Sequence, residues 1–238
     1  DIAPWVSNLV DLLSKRSDIE LHVISAHSGL KRMHQSYILN NVHYYFIKTD
    51  YTTLLKRLIK NDNLWRRLNP MRIIVRRLVN NISPNIVTLI GAENAYISGT
   101  ILDIHDFPIF VLCQTIYNNP DRSKYGLVDC KNASTEKLIF QKEKYFAVHG
   151  HMHFDLLKKM KPDAIVFDWK PSTPFPEVNI LSEKKYDFVN FATSFDFKKG
   201  FHDSIQALAI VKKRYPDVML NLIGGGDASA KVELEALI

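Results

Sequence analysis

Apolar positions along this chain switch repeatedly between a helical spacing and short continuous runs. Pro4 to Arg16 reads as an amphipathic helix, with Val6, Leu9, Leu12 and Leu13 on one side. Glu20 to Ser25 and Val42 to Ile47 read as strands. Leu54 to Ile59 and Arg72 to Val79 are both helix-like, and Asn69-Pro70 breaks between them. Ser83-Pro84-Asn85 then ends a helix, and Ile86 to Ile90 is a buried strand. A short helix is predicted over Ala95 to Leu102. A strand follows over Ile109 to Cys113, with Pro108 at its entry, where a missing N–H does least harm. Ser134 to Lys144 reads as a helix contacting the core through Thr135, Leu138 and Ile139. Tyr145 to Val148 is a strand, His153 to Met160 a helix and Ala164 to Phe167 another strand.

After residue 185 the pattern is most compact. Asp187 to Ala192 is a short run rich in Phe and Val, so a buried strand. A polar loop follows and ends in Lys198-Lys199-Gly200. Phe201 to Arg214 is helical, Pro216 stops it, and Val218 to Ile223 is a second strand running into Gly224-Gly225-Gly226. Ala230 to Ile238 is a last helix. Strands alternating with helices predict an α/β fold built on parallel sheets. The first sheet is expected to include Leu21–Ser25, Ile86–Ile90, Ile109–Cys113, Tyr145–Val148 and Ala164–Phe167. Pro, Ser and Thr between 171 and 185 mark a linker. This gives a first domain over 1–170 and a second unit over 186–238. In open parallel sheets ligands bind at the carboxyl ends of strands, so those ends are the places to look for function.

Composition adds little to that frame. It is that of a soluble globular protein, and no apolar run reaches membrane-spanning length. No signal peptide is expected from the first residues, which read as an amphipathic helix. Cys113 and Cys130 lack metal-type spacing and are expected to be reduced in a cytoplasmic protein. Charge matters more. The net charge is only +6, but Arg66, Arg67, Arg72 and Arg76 fall within one basic stretch interleaved with Trp65, Ile73 and Ile74. Such a stretch is a solvated face, a patch for an anionic membrane surface, or a nucleic-acid surface. No zinc finger, RNP or helix-turn-helix signature supports the last.

The motif order from Phe191 onward carries a resemblance. Phe191-Ala192-Thr193, a polar loop, Lys199-Gly200, a helix, Tyr215-Pro216-Asp217, a strand and Ile223-Gly224-Gly225-Gly226 resemble the group-1 retaining glycosyltransferases of the GT-B fold. Earlier, Ser83-Pro84-Asn85-Ile86-Val87 is similar to that family's entry into an inner strand. The resemblance implies two Rossmann-like domains meeting at a cleft, an acceptor-type domain first and a donor-type domain second. It further implies that the chain is a segment, lacking an opening strand and glycine-bearing loop. It also implies that the donor domain stops before the paired glutamates that hold sugar and ribose. Isolated, the chain is then expected to be inactive.

The resemblance also assigns roles. Lys199 matches the lysine that meets the donor diphosphate. A point cation at a strand's carboxyl end, beside a helix N-terminus, can stabilise a departing phosphate. Thr193 falls where the family has the partner arginine. Its hydroxyl, like that of Ser194, can bond a phosphate oxygen but cannot neutralise it. Gly224, Gly225 and Gly226 let backbone approach either a ligand or a neighbouring element. Gln114 falls where the family has a cleft histidine, and it cannot take a proton at neutral pH. His149 sits at a strand end. His149, His151 and His153 would share a face if extended, as zinc ligands do, yet no Cys, Asp or Glu spacing accompanies them. The expectation is a metal-independent, cofactor-free transferase. It would move a sugar from a nucleotide-sugar onto a glycan or lipid-linked acceptor in polysaccharide biosynthesis. Its location would be cytoplasmic or peripheral to the inner membrane face. A non-catalytic Rossmann-type binding domain with a basic membrane-surface patch is the alternative.

Overall fold

The computed structural model describes residues 4–49, 70–124, 130–170, 186–195, 199–226 and 228–237. The helix expected at Leu54–Ile59, the basic residues Arg66 and Arg67, Lys198 and the 171–185 segment lie outside the described residues. Chain contacts divide the protein into two compact units, Asp1–Pro174 and Phe175–Ile238.

The first unit opens with α1 (Pro4–Ser14), which ends earlier than expected and leaves Leu12 exposed. Three strands follow: β1 (Leu21–His27), β2 (His34–Leu39) and β3 (Val42–Lys48). β2 went unseen in the sequence. It forms a hairpin with β3, in which Leu39 faces Val42 across the two-residue loop Asn40-Asn41. Both asparagines have positive φ, 51° and 62°, as a type I′ turn requires.

This hairpin corrects the expected sheet. Leu21–Ser25 does not pair into the sheet of the later strands. β1 pairs in parallel with β3, and the three strands form their own mixed sheet in the order β1-β3-β2. Alternating apolar residues specify which face of a strand is buried. They leave its neighbour open, because ladder hydrogen bonds are made by backbone common to all residues.

The second sheet of this unit is four-stranded and parallel throughout, in the order β4-β5-β6-β7. Its strands are β4 (Val87–Ile90), β5 (Ile109–Cys113), β6 (Tyr145–Val148) and β7 (Ile165–Asp168). Helices flank it, so this is an α/β arrangement of Rossmann-like kind. The continuous apolar runs of β5 and β6 suit a sheet covered on both faces. Val111 and Phe146 are both fully buried. Ile24 and Ala26 of β1 and Ile47 of β3 pack into the same core as β4 to β6, so the two sheets share one hydrophobic interior.

α2 (Pro70–Ile82) begins with proline at its first position, where a missing N–H costs nothing. Met71, Val75 and Val79 recur every fourth residue and are buried. Opposite them, Arg76 and Arg77 are exposed. Arg72 differs. Its guanidinium grips both carboxylate oxygens of Asp103, at the end of the 3-10 turn Ser98–Asp103, and its side chain is only 16% exposed. That turn replaces the helix expected at Ala95–Leu102. Lys142 holds the turn from the other side, donating to Ile101 O at 3.0 Å.

α3 (Pro120–Lys124), α4 (Cys130–Lys142) and α5 (His151–Met160) complete the first unit. The buried face of α4 is Thr135, Glu136, Ile139 and Phe140. Leu138, expected in the core, is 45% exposed, because it lies one residue off that stripe. The His-x-His-x-His run is not extended. His149 follows β6, Gly150 turns at φ 79°, and His151 and His153 fall in the first turn of α5. Residues two apart on a helix point to different sides, so the shared face is lost.

The second unit is a βαβ element. β8 (Phe188–Phe191) pairs in parallel with β9 (Leu220–Ile223), joined by α6 (Phe201–Lys212), and α7 (Ala228–Glu235) follows. Its small core is Phe201, Ile205 and Leu234, with Ala192, Phe195 and Leu222 against it. Among the described residues, no helix is long and apolar enough to cross a membrane.

The Arg72–Asp103 pair ties α2 to the turn after β4. Arg72→Ala is expected to destabilise the first unit by ~1.5–3 kcal/mol, the range for charge-assisted hydrogen bonds. Arg76→Ala should stay within ~0.5 kcal/mol. Urea denaturation of both variants checks this, and equal midpoints would refute it.

Candidate functional site

The carboxyl ends of β4 and β5 gather ionisable groups that the sequence reading passed over. β4 runs into Gly91, whose φ of 83° favours glycine. Its N–H donates to Leu112 O at 2.8 Å, and its carbonyl accepts from Ser98 Oγ at 2.7 Å. A Cβ on Gly91 would lie 2.5 Å from Glu93 Oε1. The Glu93 carboxyl therefore folds back over the strand end, and glycine makes the room.

Opposite it, β5 runs into Gln114, Thr115, Ile116, Tyr117 and Asn118. Glu136, on α4 and without exposed surface, organises this loop. It accepts the N–H groups of Tyr117 and Asn118 at 2.8 Å each, and Asn118 Nδ2 at 2.7 Å. Arg122 of α3 donates to Thr115 Oγ1 at 3.0 Å and stacks its guanidinium 4.4 Å from the Tyr117 ring centre. Arg122 Nε is buried with no hydrogen-bond partner among the described residues.

The electrostatics of the cluster are uneven. Burial pushes the Glu93 carboxyl above the ordinary glutamate range, and the Glu136 carboxylate pushes it the same way. The backbone N–H groups of Ala92 and Glu93, and the Arg122 guanidinium, pull it back. Burial, with the Glu136 and Glu93 carboxylates, also pushes the Cys113 thiol far up. Cys113 is thus a packing residue and no nucleophile. A carboxyl raised toward neutrality, within the field of a guanidinium, can hold a hydroxylated or anionic ligand, or exchange a proton with it.

The other expected residues fall in separate places. Gln114 is half-buried at the end of β5, on the edge that carries Glu93. His149 is exposed after β6, with Nδ1 3.2 Å from Trp169 O beyond β7. Arg72 is engaged with Asp103, and Arg76 faces solvent on α2.

In the second unit, Lys199 is exposed immediately before Gly200, which caps α6 in the left-handed region at φ 71°. Asp203 stands in the first turn of the same helix and opposes an anion there. Thr193 and Ser194 lie after β8, against the glycine loop. Phe195 N donates to Gly225 O at 2.9 Å. A Cβ on Gly224 would come within 2.9 Å of the Phe195 ring, and one on Gly225 within 3.4 Å of Thr193 O. Close approach of two loops thus accounts for Gly224 and Gly225. A cavity of about 230 Å³ lies beside this core, lined by Phe195, His202, Ser229, Glu233, Leu234 and Leu237 among others.

One signal in the sequence marked the missed cluster. Glu136 sits among Thr135, Ile139 and Phe140 on the buried stripe of α4, where a carboxylate needs fixed donors. Glu93 carried no such mark, because its burial depends on a turn at Gly91. The chain matches no protein-family model and no characterised protein in sequence.

Two predictions follow from this geometry. Because the folded state raises the Glu93 pKa, protonation there favours folding. That contribution is fully present below the ordinary glutamate value, ~4.3, and is lost as pH rises through the higher folded value. Glu93→Gln should therefore gain stability relative to wild type as pH rises from the ordinary glutamate value, ~4.3, through the raised folded one, measured by denaturation at each pH. A flat or opposite trend would show that Arg122 and the backbone donors outweigh burial. Gly224→Ala should cost ~1–3 kcal/mol by overpacking against Phe195, and Gly225→Ala should cost less. Equal losses in thermal denaturation would contradict the loop-packing account.

Proposed function

We propose that this chain belongs to a retaining, nucleotide-sugar-dependent glycosyltransferase of GT-B type. Its first unit would serve an acceptor and its second the donor diphosphate. The observation that supports the reading best is the βαβ element of the second unit. Thr193-Ser194 follow a strand, a lysine precedes the glycine that caps α6, and a glycine loop follows β9. These features stand in the order that resembles the family.

The reaction would join an acceptor hydroxyl oxygen to the sugar's anomeric carbon while the bond to the diphosphate breaks. The hydroxyl proton would leave with the departing phosphate. Lys199 would offset the charge that develops there, helped by N–H groups at the start of α6. Thr193 and Ser194 would donate hydrogen bonds without charge. In the first unit, Arg122 and Glu93 would hold the acceptor glycan or lipid-linked sugar, with Gln114 and His149 on the same sheet edge. Positioning and diphosphate stabilisation would carry the rate. Arg76 and the neighbouring arginines would bring the protein to an anionic membrane surface bearing a lipid-linked acceptor, each contributing ~1 kcal/mol.

Steady-state transfer or donor hydrolysis tests the reading. In the full-length protein, Lys199→Ala should lower turnover by roughly ten- to a hundredfold, and Lys198→Ala should do little. Thr193→Arg should be tolerated. Equal turnover for Lys199→Ala and wild type would remove the lysine from the site and leave the non-catalytic binding domain as the better account.

A further inference from the structure

A different cluster lies at the amino ends of β1 and β3. Parallel pairing sets His22 of β1 directly beside His43 of β3. Their imidazoles stack with centres 4.6 Å apart. Glu20, two residues before His22, falls on the same face of the sheet by the period-two alternation of a strand. Its Oε1 lies 3.1 Å from His22 Nε2 and 3.7 Å from His43 Nε2. One ligand atom from each of the three residues falls within 4.8 Å of the others. The side chains are 18% exposed for His22, 30% for His43 and 73% for Glu20. The set is therefore half-sheltered and open to solvent on the carboxylate side.

We propose that Glu20, His22 and His43 form a binding site for a borderline divalent cation such as Zn²⁺, which clips β1 to β3. Two imidazoles and one carboxylate are a ligand set for zinc, with a water completing four-coordination. Bonds of 2.0–2.2 Å in a tetrahedron place ligand atoms ~3.4 Å apart. The two Glu20 contacts, 3.1 and 3.7 Å, bracket that spacing. Closing the set around an ion requires the two rings to splay from their stacked arrangement by side-chain rotation.

The environment of His22 is a second, independent mark. Its Nδ1 lies 3.3 Å from Tyr45 Oη, and Tyr45 is on β3, two residues beyond His43. A histidine that ligates a metal through one ring nitrogen usually gives the other N–H to an oxygen, which fixes ring and tautomer. In the tautomer that keeps its proton on Nδ1 toward Tyr45, His22 offers the Nε2 lone pair to a cation on the Glu20 side. Two acceptors face each other comfortably only with a proton or a cation between them.

The position argues for a structural ion. It lies at the amino ends of its strands, whereas open parallel sheets take substrates at the carboxyl ends. The site is thus independent of the proposed sugar transfer. It would tie the entry of β1 to the strand that carries the β2 hairpin.

Titration of the metal-free protein with Zn²⁺, followed by calorimetry and by thermal denaturation, tests this. One ion per chain should bind and raise the melting temperature. His43→Ala and Glu20→Gln should each weaken binding by tenfold or more, and Tyr45→Phe by about tenfold. The double variant His151→Ala/His153→Ala, which removes the other histidines of similar spacing, should bind as wild type does. Glu20 is exposed, so Glu20→Gln tests the site without endangering the fold. No uptake by wild type, a loss below tenfold in either ligand variant, or loss in the His151/His153 variant would overturn the proposal.

Discussion

Much of the first unit's working edge depends on one buried carboxylate. Glu136 has no exposed surface and accepts three N–H bonds, two of them from consecutive backbone amides after β5. Charge-assisted bonds of this kind are each worth ~1.5–3 kcal/mol, and each amide left unmet would carry its own desolvation cost. These bonds favour the loop conformation in which all three are made. Arg122 follows from that conformation, since it reaches Thr115 and stacks on Tyr117 only when the loop is held. Glu93 feels the same group at a distance, because a fixed negative charge nearby disfavours a second one. A single side chain on α4 thus shapes the β5 loop and biases the protonation of the acid across from it.

The same edge shows how far residue pattern reads into structure. The buried strands β5 and β6 were legible because both faces are covered and the residues are apolar without interruption, whereas β8, also expected to be buried, leaves Phe188, Val189 and Phe191 exposed in its small unit. β5 and β6 fall where the pattern puts them, over Ile109–Cys113 and Tyr145–Val148. The β2 strand was hidden because all six of its residues are exposed, so no burial alternation marks it. Its signal was the turn, Asn40-Asn41 between two β-prone runs. Strand neighbours were hidden for a different reason. Backbone ladders carry no residue code, so assigning Leu21–Ser25 to the later sheet had no physical warrant beyond chain order. The candidate site fared similarly. Gln114 and His149 mark the right sheet edge because they follow strands. Glu93 and Arg122 come within electrostatic reach of each other only through the turn at Gly91 and the loop that Glu136 holds.

In the second unit, two explanations compete for the same residues. A glycine loop after a strand can cradle a phosphate, or it can let two loops touch. The contact between Gly224 and the Phe195 ring favours packing for that residue, since Phe195 also meets Phe201 edge-on at 5.0 Å within the small core. Gly226, with φ of 119°, is different. Its conformation is one that side chains rarely adopt, and it is exposed. Backbone freedom there is used at the surface, where a ligand could meet it. The loop therefore has a packed beginning and an open end.

Lys199 stands in a field of mixed sign. The N–H groups at the start of α6 and the ammonium both favour an anion, while Asp203 in the first turn opposes one. With an exposed carboxylate nearby, resting attraction for phosphate is weakened, and screening by salt weakens it further. The donor's diphosphate already carries two negative charges, and a third develops on the departing oxygen as its bond to the anomeric carbon breaks, before the acceptor proton arrives. The balance then shifts toward the species that forms as the glycosidic bond to the donor breaks. Under the transferase reading, this arrangement favours the departing diphosphate over the bound donor, which is the condition for lowering a barrier instead of only tightening binding.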